Sequence, residues 1–234
     1  MTAPLVAIVD YEMGNLFSVK HACEHVGMRA VITADPGDLD AADAVILPGI
    51  GAFRDAIHTL DARALTPAIH AAVATGKPVL GICLGMQLLL TESHEMGRYR
   101  GLDLVAGEVT RLSEDAGDGT RVKVPHVGWS RISPAGGGAF KEPLFDGVPA
   151  DAFMYFVHSY ECRPSSPGVA TATTRYGAAV YCSALRRDSV VGVQFHPERS
   201  GPHGLTIYRN FRTSIVTSRE WSHGRTAGSE IRTA

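Results

Sequence analysis

Long apolar runs are missing: nothing in the 234 residues approaches the ~20 needed to cross a bilayer. A basic excess is missing too, with 22 Lys+Arg against 24 Asp+Glu, a net charge of −2 and a pI near 6.5. That balance excludes the electrostatic footprint of a general nucleic-acid binder. Cysteine is scarce: Cys23, Cys83, Cys162 and Cys182 lie 60, 79 and 20 residues apart with no CxxC pair. Neither a zinc site nor a disulfide scaffold fits that spacing, and reduced, mostly buried thiols are expected. No Lys or Arg precedes the apolar stretch Leu5–Val9, so it does not read as a signal peptide. No internal repeat and no domain linker is visible. What remains is 45% hydrophobic and 20% charged, with a mean hydropathy of +0.03. The expectation is a globular, cytoplasmic protein: one domain over residues 1–216 and a polar, poorly ordered tail over 217–234.

The first third alternates strand and helix. Leu5–Val9, residues 30–33, Ala44–Leu47 and residues 78–82 are short apolar or β-branched runs bounded by Asp, Pro or Gly. Between them, Leu16, Val19, Ala22, Cys23 and Val26 recur at helical spacing before Gly27, and residues 64–75 read as a helix closed by Gly76. Residues 84–92 read as another helix. Buried strands separated by helices imply a parallel sheet covered on both faces, which binds ligands beyond the carboxyl ends of its strands. The second half reads differently. Residues 109–112, 122–127, 153–162, 169–176, 179–185 and 190–195 are strand-like at short spacing, which favours antiparallel additions. A last helix fits residues 203–216.

Three motifs carry chemistry. Gly81-Ile82-Cys83-Leu84-Gly85 puts a nucleophile between two glycines at a strand-to-helix turn. Such an elbow lifts the side chain out of the sheet and aims helix-start N–H groups at it, which suits a thiolate and an oxyanion. Gln194-Phe195-His196-Pro197-Glu198 follows a buried strand. Pro197 biases His196 toward extended backbone, where residues two apart point to the same side, so Glu198 can orient the imidazole. Pro48-Gly49-Ile50-Gly51 follows the Ala44–Leu47 strand and leaves backbone N–H groups accessible, the second half of an oxyanion hole. Other candidates are blander. His21 and His25 are four apart on a helix with no third ligand, and read as a solvated face. His126 and His158 lack a carboxylate two residues away and read as structural or interfacial.

Cys83 within GICLGMQLL, the PGIG loop and QFHPE together resemble class I, triad-type glutamine amidotransferases. More narrowly, DYEMGNL at 10–16, PHVGW at 125–129, YFVHSY at 155–160 and HPERS at 196–200 resemble the glutaminase subunits of imidazole glycerol phosphate synthases. The resemblance runs from about residue 5 to residue 216. It implies an α/β, flavodoxin-like open sheet, largely parallel, with helices on both faces and an antiparallel extension. It implies hydrolysis of L-glutamine to glutamate and ammonia by Cys83, His196 and Glu198, with no cofactor and no metal, in histidine biosynthesis. The oxyanion would face the N–H of Leu84 and one N–H from Gly49–Gly51. The substrate's α-carboxylate or amino end would meet Gln87, Glu95 and the backbone of Ser159 and Tyr160. The implied partner is a cyclase subunit, a (β/α)₈ barrel, held in a heterodimer through Asn15, Trp129, Tyr155, Arg199 and the PGIG loop. Two departures stand out: Glu12 where many members have glycine, and Arg199 where lysine is expected. One alternative is the glutaminase of another synthase, such as that of the pyridoxal phosphate pathway, which is not expected to carry the DYxxGN and PHxGW pair. Another is a binding protein on a decayed scaffold, which the intact Cys83, His196 and Glu198 oppose.

Overall fold

The chain runs β1 (Leu5–Val9), α1 (Leu16–His25), β2 (Arg29–Thr33), α2 (Pro36–Ala41), β3 (Ala44–Leu47), α3 (Phe53–Ala62), α4 (Leu65–Ala74), β4 (Val79–Ile82) and α5 (Leu84–Leu88). It continues through β5 (Leu90–Ser93), β6 (Tyr99–Arg100), β7 (Val105–Arg111), β8 (His126–Arg131), β9 (Ser133–Pro134) and β10 (Phe153–His158). Then follow β11 (Tyr160–Pro164), β12 (Ala170–Tyr176), β13 (Ala179–Arg187), β14 (Val190–Val193) and α6 (Gly201–Ser229). The computed structural model describes residues 2–229, with side chains through Ser218.

One sheet has the order β2-β1-β3-β4-β14-β13-β11-β7-β5-β6, with β12 paired to β13 and β9 to β12. Strands β2, β1, β3, β4 and β14 are parallel, in the doubly wound order of a flavodoxin-like sheet. Strand β1 shows why both faces are covered. Its Val6 and Ile8 join a core with Val19 and Cys23 of α1 and Ile207 and Phe211 of α6. Its Ala7 and Val9 join a second core with Phe53 and Leu60 of α3 and Leu65 and Ile69 of α4. Alternation every second residue sends the two sets to opposite faces, and each meets an apolar helix stripe. Strands β8 and β10 pair with each other in a separate sheet. Among the described residues, no helix is long and apolar enough to cross a membrane.

Several sequence expectations need correction. The run at 190–195 is antiparallel on one side only: β14 pairs antiparallel with β13 but lies parallel to β4, from Val190 opposite Val79 to Val193 opposite Ile82. The crossover a parallel pair needs is the whole excursion between β4 and β14 rather than one helix. The helix expected over 84–92 stops at Leu88, because the N–H groups of Leu102 and Leu104 take the carbonyls of Leu88 and Leu89 at 2.8 and 2.9 Å. The single strand expected over 153–162 is two strands. Ser159 separates β10, paired with β8, from β11, paired with β7 and β13. The strand expected over 122–127 begins only at His126, since Pro125 has no N–H to give a ladder. Helices α2 and α3 were not anticipated. Asp35 caps α2 by accepting from the Gly37 N–H at 2.8 Å. The last helix does not end at 216 but continues to Ser229, there being no proline to break it. The remainder of the expected tail, residues 230–234, lies outside the described residues.

Candidate active site

The carboxyl ends of three adjacent strands, β3, β4 and β14, deliver the three sequence motifs to one place. Cys83 sits between β4 and α5 with φ 52° and ψ −107°, a left-handed backbone that a β-substituted residue rarely adopts. Its N–H is anchored to the Val193 carbonyl at 2.8 Å, so the nucleophile hangs directly on the neighbouring strand. The flanking glycines answer to close packing. A Cβ on Gly81 would sit 2.7 Å from the Gly85 carbonyl oxygen, and one on Gly85 would collide with the Leu47 carbonyl of β3. Gly49 is equally confined, since its Cβ would come 2.7 Å from Leu84 Cβ and 2.6 Å from Tyr11 Oη. Gly51 has φ 122°, open to glycine alone among ordinary residues. The PGIG loop therefore rests against the first turn of α5, beside Leu84.

His196 is extended, at φ −100° and ψ 95°, as Pro197 demands. Glu198 reaches it differently from the expected extended arrangement: a 3₁₀ turn over Pro197–Arg199 folds the carboxylate back. Glu198 Oε1 lies 2.8 Å from His196 Nδ1, and both side chains are buried. Nδ1 is thereby the proton-bearing nitrogen, and Nε2, buried with no other partner, is free for the thiol proton. Burial works against a charged imidazole here; the nearby Cys83 and the hydrogen-bonded Glu198 carboxylate override it and hold the His196 pKa up to about 10. The other cysteines are different. Burial pushes the Cys23 and Cys182 thiols up to about 12 and raises Cys162 as well, leaving all three as inert thiols.

A cavity of about 270 Å³ opens on Cys83, lined also by Ile50, Gly51, Leu84, Gln87, Glu95 and Ser159–Tyr160. Every expected substrate residue thus reaches one pocket, while Gly49 lies behind its wall. Gln87 Nε2 donates to the Tyr160 carbonyl at 3.1 Å and to Gln194 Oε1 at 3.3 Å. Both amide protons are committed, so Gln87 can offer a ligand only its oxygen, an acceptor for an ammonium group. Glu95 accepts from the Phe53 N–H at 2.7 Å, which fixes its carboxylate at the cavity wall. The Ser159 and Tyr160 carbonyls are taken, by the Leu112 N–H at 2.9 Å and by Gln87. Gln194 was not singled out from sequence. Fully buried, it donates to Cys83 Sγ at 3.6 Å, and only its place in QFHPE hinted at a role.

Three of the four expected interface residues form one surface stack. Trp129 and Tyr155 meet edge to face at 6.0 Å, and the Arg199 guanidinium lies 4.5 Å over the Tyr155 ring. Tyr155 also holds the catalytic strand end, its carbonyl accepting the His196 N–H at 2.9 Å. Asn15 stands apart, exposed at the start of α1. Glu12, the other departure, has φ 67°, a conformation suited to glycine, and pairs with Arg63. His21 and His25 are exposed on α1, whereas His126 and His158 are buried.

This fold and site define the class: the family model described as glutamine amidotransferase class-I matches residues 7–215. The structure of PurLQS from Thermotoga maritima shares the fold, with a TM-score of 0.68 at 17% identity, covering 91% of this chain and 99% of that one. Two relatives narrow the placement. The imidazole glycerol phosphate synthase subunit HisH of Moorella thermoacetica is 46% identical over 206 residues, 88% of this chain and 93% of the relative. That of Geobacter metallireducens is 44% identical over 210 residues, 89% and 98% of the two chains. The chain belongs to the class I glutamine amidotransferase family, within its HisH group.

Proposed function

We propose that this chain is the glutamine-hydrolysing subunit of an imidazole glycerol phosphate synthase, and that Cys83, His196 and Glu198 carry the hydrolysis. The observation that carries the reading is that adjacent parallel strands β4 and β14 deliver the Cys83 elbow, which opens on the cavity, and the hydrogen-bonded His196–Glu198 pair. The Cys83 thiolate attacks the side-chain carbonyl of glutamine, giving a tetrahedral oxyanion. Leu84 N–H and one N–H of Gly49–Gly51 receive that charge, each such donor being worth roughly 3 kcal/mol of barrier. His196 Nε2 then protonates the departing ammonia, leaving a γ-glutamyl thioester. Water, deprotonated by the same nitrogen, hydrolyses the thioester to glutamate. The substrate's α-ammonium meets Gln87 Oε1 and Glu95, and its α-carboxylate meets backbone N–H groups at Ser159–Tyr160. The Tyr160 carbonyl already meets two donors, so that peptide has only its N–H to give.

Ammonia released into neutral water is protonated and loses its nucleophilicity, so the product needs a closed route to its acceptor. We infer that the partner is a (β/α)₈ cyclase docked over the Cys83 side of the molecule, and that the pair serves histidine biosynthesis in the cytoplasm. Exposed apolar side chains support docking: Phe17 is 72% exposed, Val127 56%, Trp129 54% and Ile50 of the PGIG loop 49%. The glycine peptides of that loop can rotate at little steric cost, so docking can turn an N–H toward the oxyanion. The test is glutaminase kcat for the free chain, the complex, and the complex with a synthase ligand. A rise of a hundredfold or more on assembly and ligand binding is expected. No glutamine hydrolysis in any state would overturn the function. A free chain as fast as the liganded complex would overturn the gate.

A further inference from the structure

Three buried side chains outside the triad form a single hydrogen-bonded line. His126 Nδ1 lies 3.0 Å from Tyr181 Oη, and that oxygen lies 3.1 Å from His158 Nε2. One end rests on the Tyr160 carbonyl, 2.9 Å from His158 Nδ1; the other is Ser130 Oγ, 2.8 Å from His126 Nε2. Burial keeps both imidazoles neutral, pulling His126 down to about 4 and His158 to about 3, with His126 and His196 adding to the effect on His158.

The direction of every bond follows from one atom. A carbonyl can only accept, so neutral His158 carries its proton on Nδ1. Its Nε2 is then an acceptor, and Tyr181 donates to it. Tyr181 has one hydroxyl proton, so it must accept from His126, whose proton is therefore also on Nδ1. His126 Nε2 is left to accept from Ser130. The same carbonyl orders a second set: Gln87 donates to Tyr160 and Gln194, and Gln194 donates to Cys83 Sγ. Both lone pairs of the Tyr160 carbonyl are thus occupied, one by each line.

The middle and the outer members of the first line lie in different parts of the molecule. Tyr181 belongs to β13 of the main sheet, whereas His126 and His158 belong to the β8–β10 pair that also carries Trp129 and Tyr155. We propose that Tyr181, His158 and His126 are positioning residues for glutamine hydrolysis. They hold the Tyr160 carbonyl, and through it Gln87 and Gln194, in register with Cys83 from the strand pair that faces the partner. This rests on the function proposed above.

The test compares glutamine-dependent with ammonia-dependent turnover in the complex assembled with its cyclase. Tyr181→Phe should lower glutamine-dependent kcat/KM roughly tenfold, the usual effect of stranding a buried hydrogen-bonding group, and leave the ammonia reaction unchanged. His158→Asn, whose amide can replace Nδ1–H, should keep more glutaminase activity than His158→Gln, whose amide replaces Nε2 instead. In the free full-length chain, nitrogen NMR of labelled histidine should show both His126 and His158 protonated on Nδ1. A Tyr181→Phe rate within twofold of native, equal activities for the two His158 variants, or a His158 proton on Nε2 would each overturn the proposal. Equal loss of the ammonia reaction would overturn it too, assigning the cluster to assembly. A native complex with no glutamine-dependent turnover would instead refute the proposed function, and the NMR result would still decide the bond directions.

Discussion

Mild acid should destabilise this chain through His126 and His158, and replacing one of them should remove a definable share of the effect. In the unfolded chain each imidazole takes up its proton near pH 6.5. In the folded chain burial holds them to about 4 and about 3. The unfolded state therefore binds protons that the native state refuses. Stability is intact above pH 6.5 and is lost progressively as pH falls toward those folded values. Each fully discordant histidine contributes a slope of about 1.4 kcal/mol per pH unit. Between pH 7 and about 5.5 the transition is partial, so His158 should cost about 1 kcal/mol, and His126 a similar amount. His196 runs the opposite way. Its folded pKa is raised to about 10, so its contribution is full below pH 6.5 and is lost as pH climbs through 10. Comparing native chain with His158→Asn cancels His196, the surface histidines and the carboxylates. Urea unfolding at several pH values across this window is the assay. The native unfolding free energy should fall about 1 kcal/mol further than that of the variant. Parallel losses would refute the reasoning, because His158 would then titrate alike in both states.

Cys83 should react alone with a glutamine-like electrophile, since burial holds Cys23, Cys162 and Cys182 as thiols; mass spectrometry showing comparable labelling at any of these would contradict the assignment. Cys83→Ala should abolish glutamine-dependent synthesis in the complex yet leave turnover with ammonium salts at high pH, and loss of both would give Cys83 another role. Glu198→Gln should cost less kcat than His196→Ala, because the carboxylate orients while the imidazole moves the proton in both half-reactions; a reversed order would invert those roles. Gly85→Ala should fail to fold or lose several kcal/mol, as its Cβ would strike the Leu47 carbonyl. A variant with native urea resistance would mean that β3 and α5 can separate.

Much of the site was legible because its chemistry is written locally. Gly81 and Gly85 flank Cys83 within one turn, and Pro197 sets the backbone of His196 from the next position. Such effects act over a few residues, within reach of periodicity and steric rules. Ser159 shows the limit. In sequence the stretch 153–162 is one unbroken strand-like run, but a change of pairing partner at Ser159 makes it two strands. Nothing local marks that change, because both halves have the same strand chemistry.

The elbow, the extended histidine, the apolar stripes that cover both sheet faces and the family can all be read from residue order. That β14 returns beside β4 in parallel emerges first from the folded sheet. That pairing brings Gln194 against Cys83, 111 positions away. The fold likewise commits both Gln87 amide protons and lets Tyr181 join His126 to His158. The physical reason is one of range. Propensity and patterning constrain a residue through its chain neighbours, whereas the direction of a buried hydrogen bond is set by whichever acceptor the sheet order brings to it.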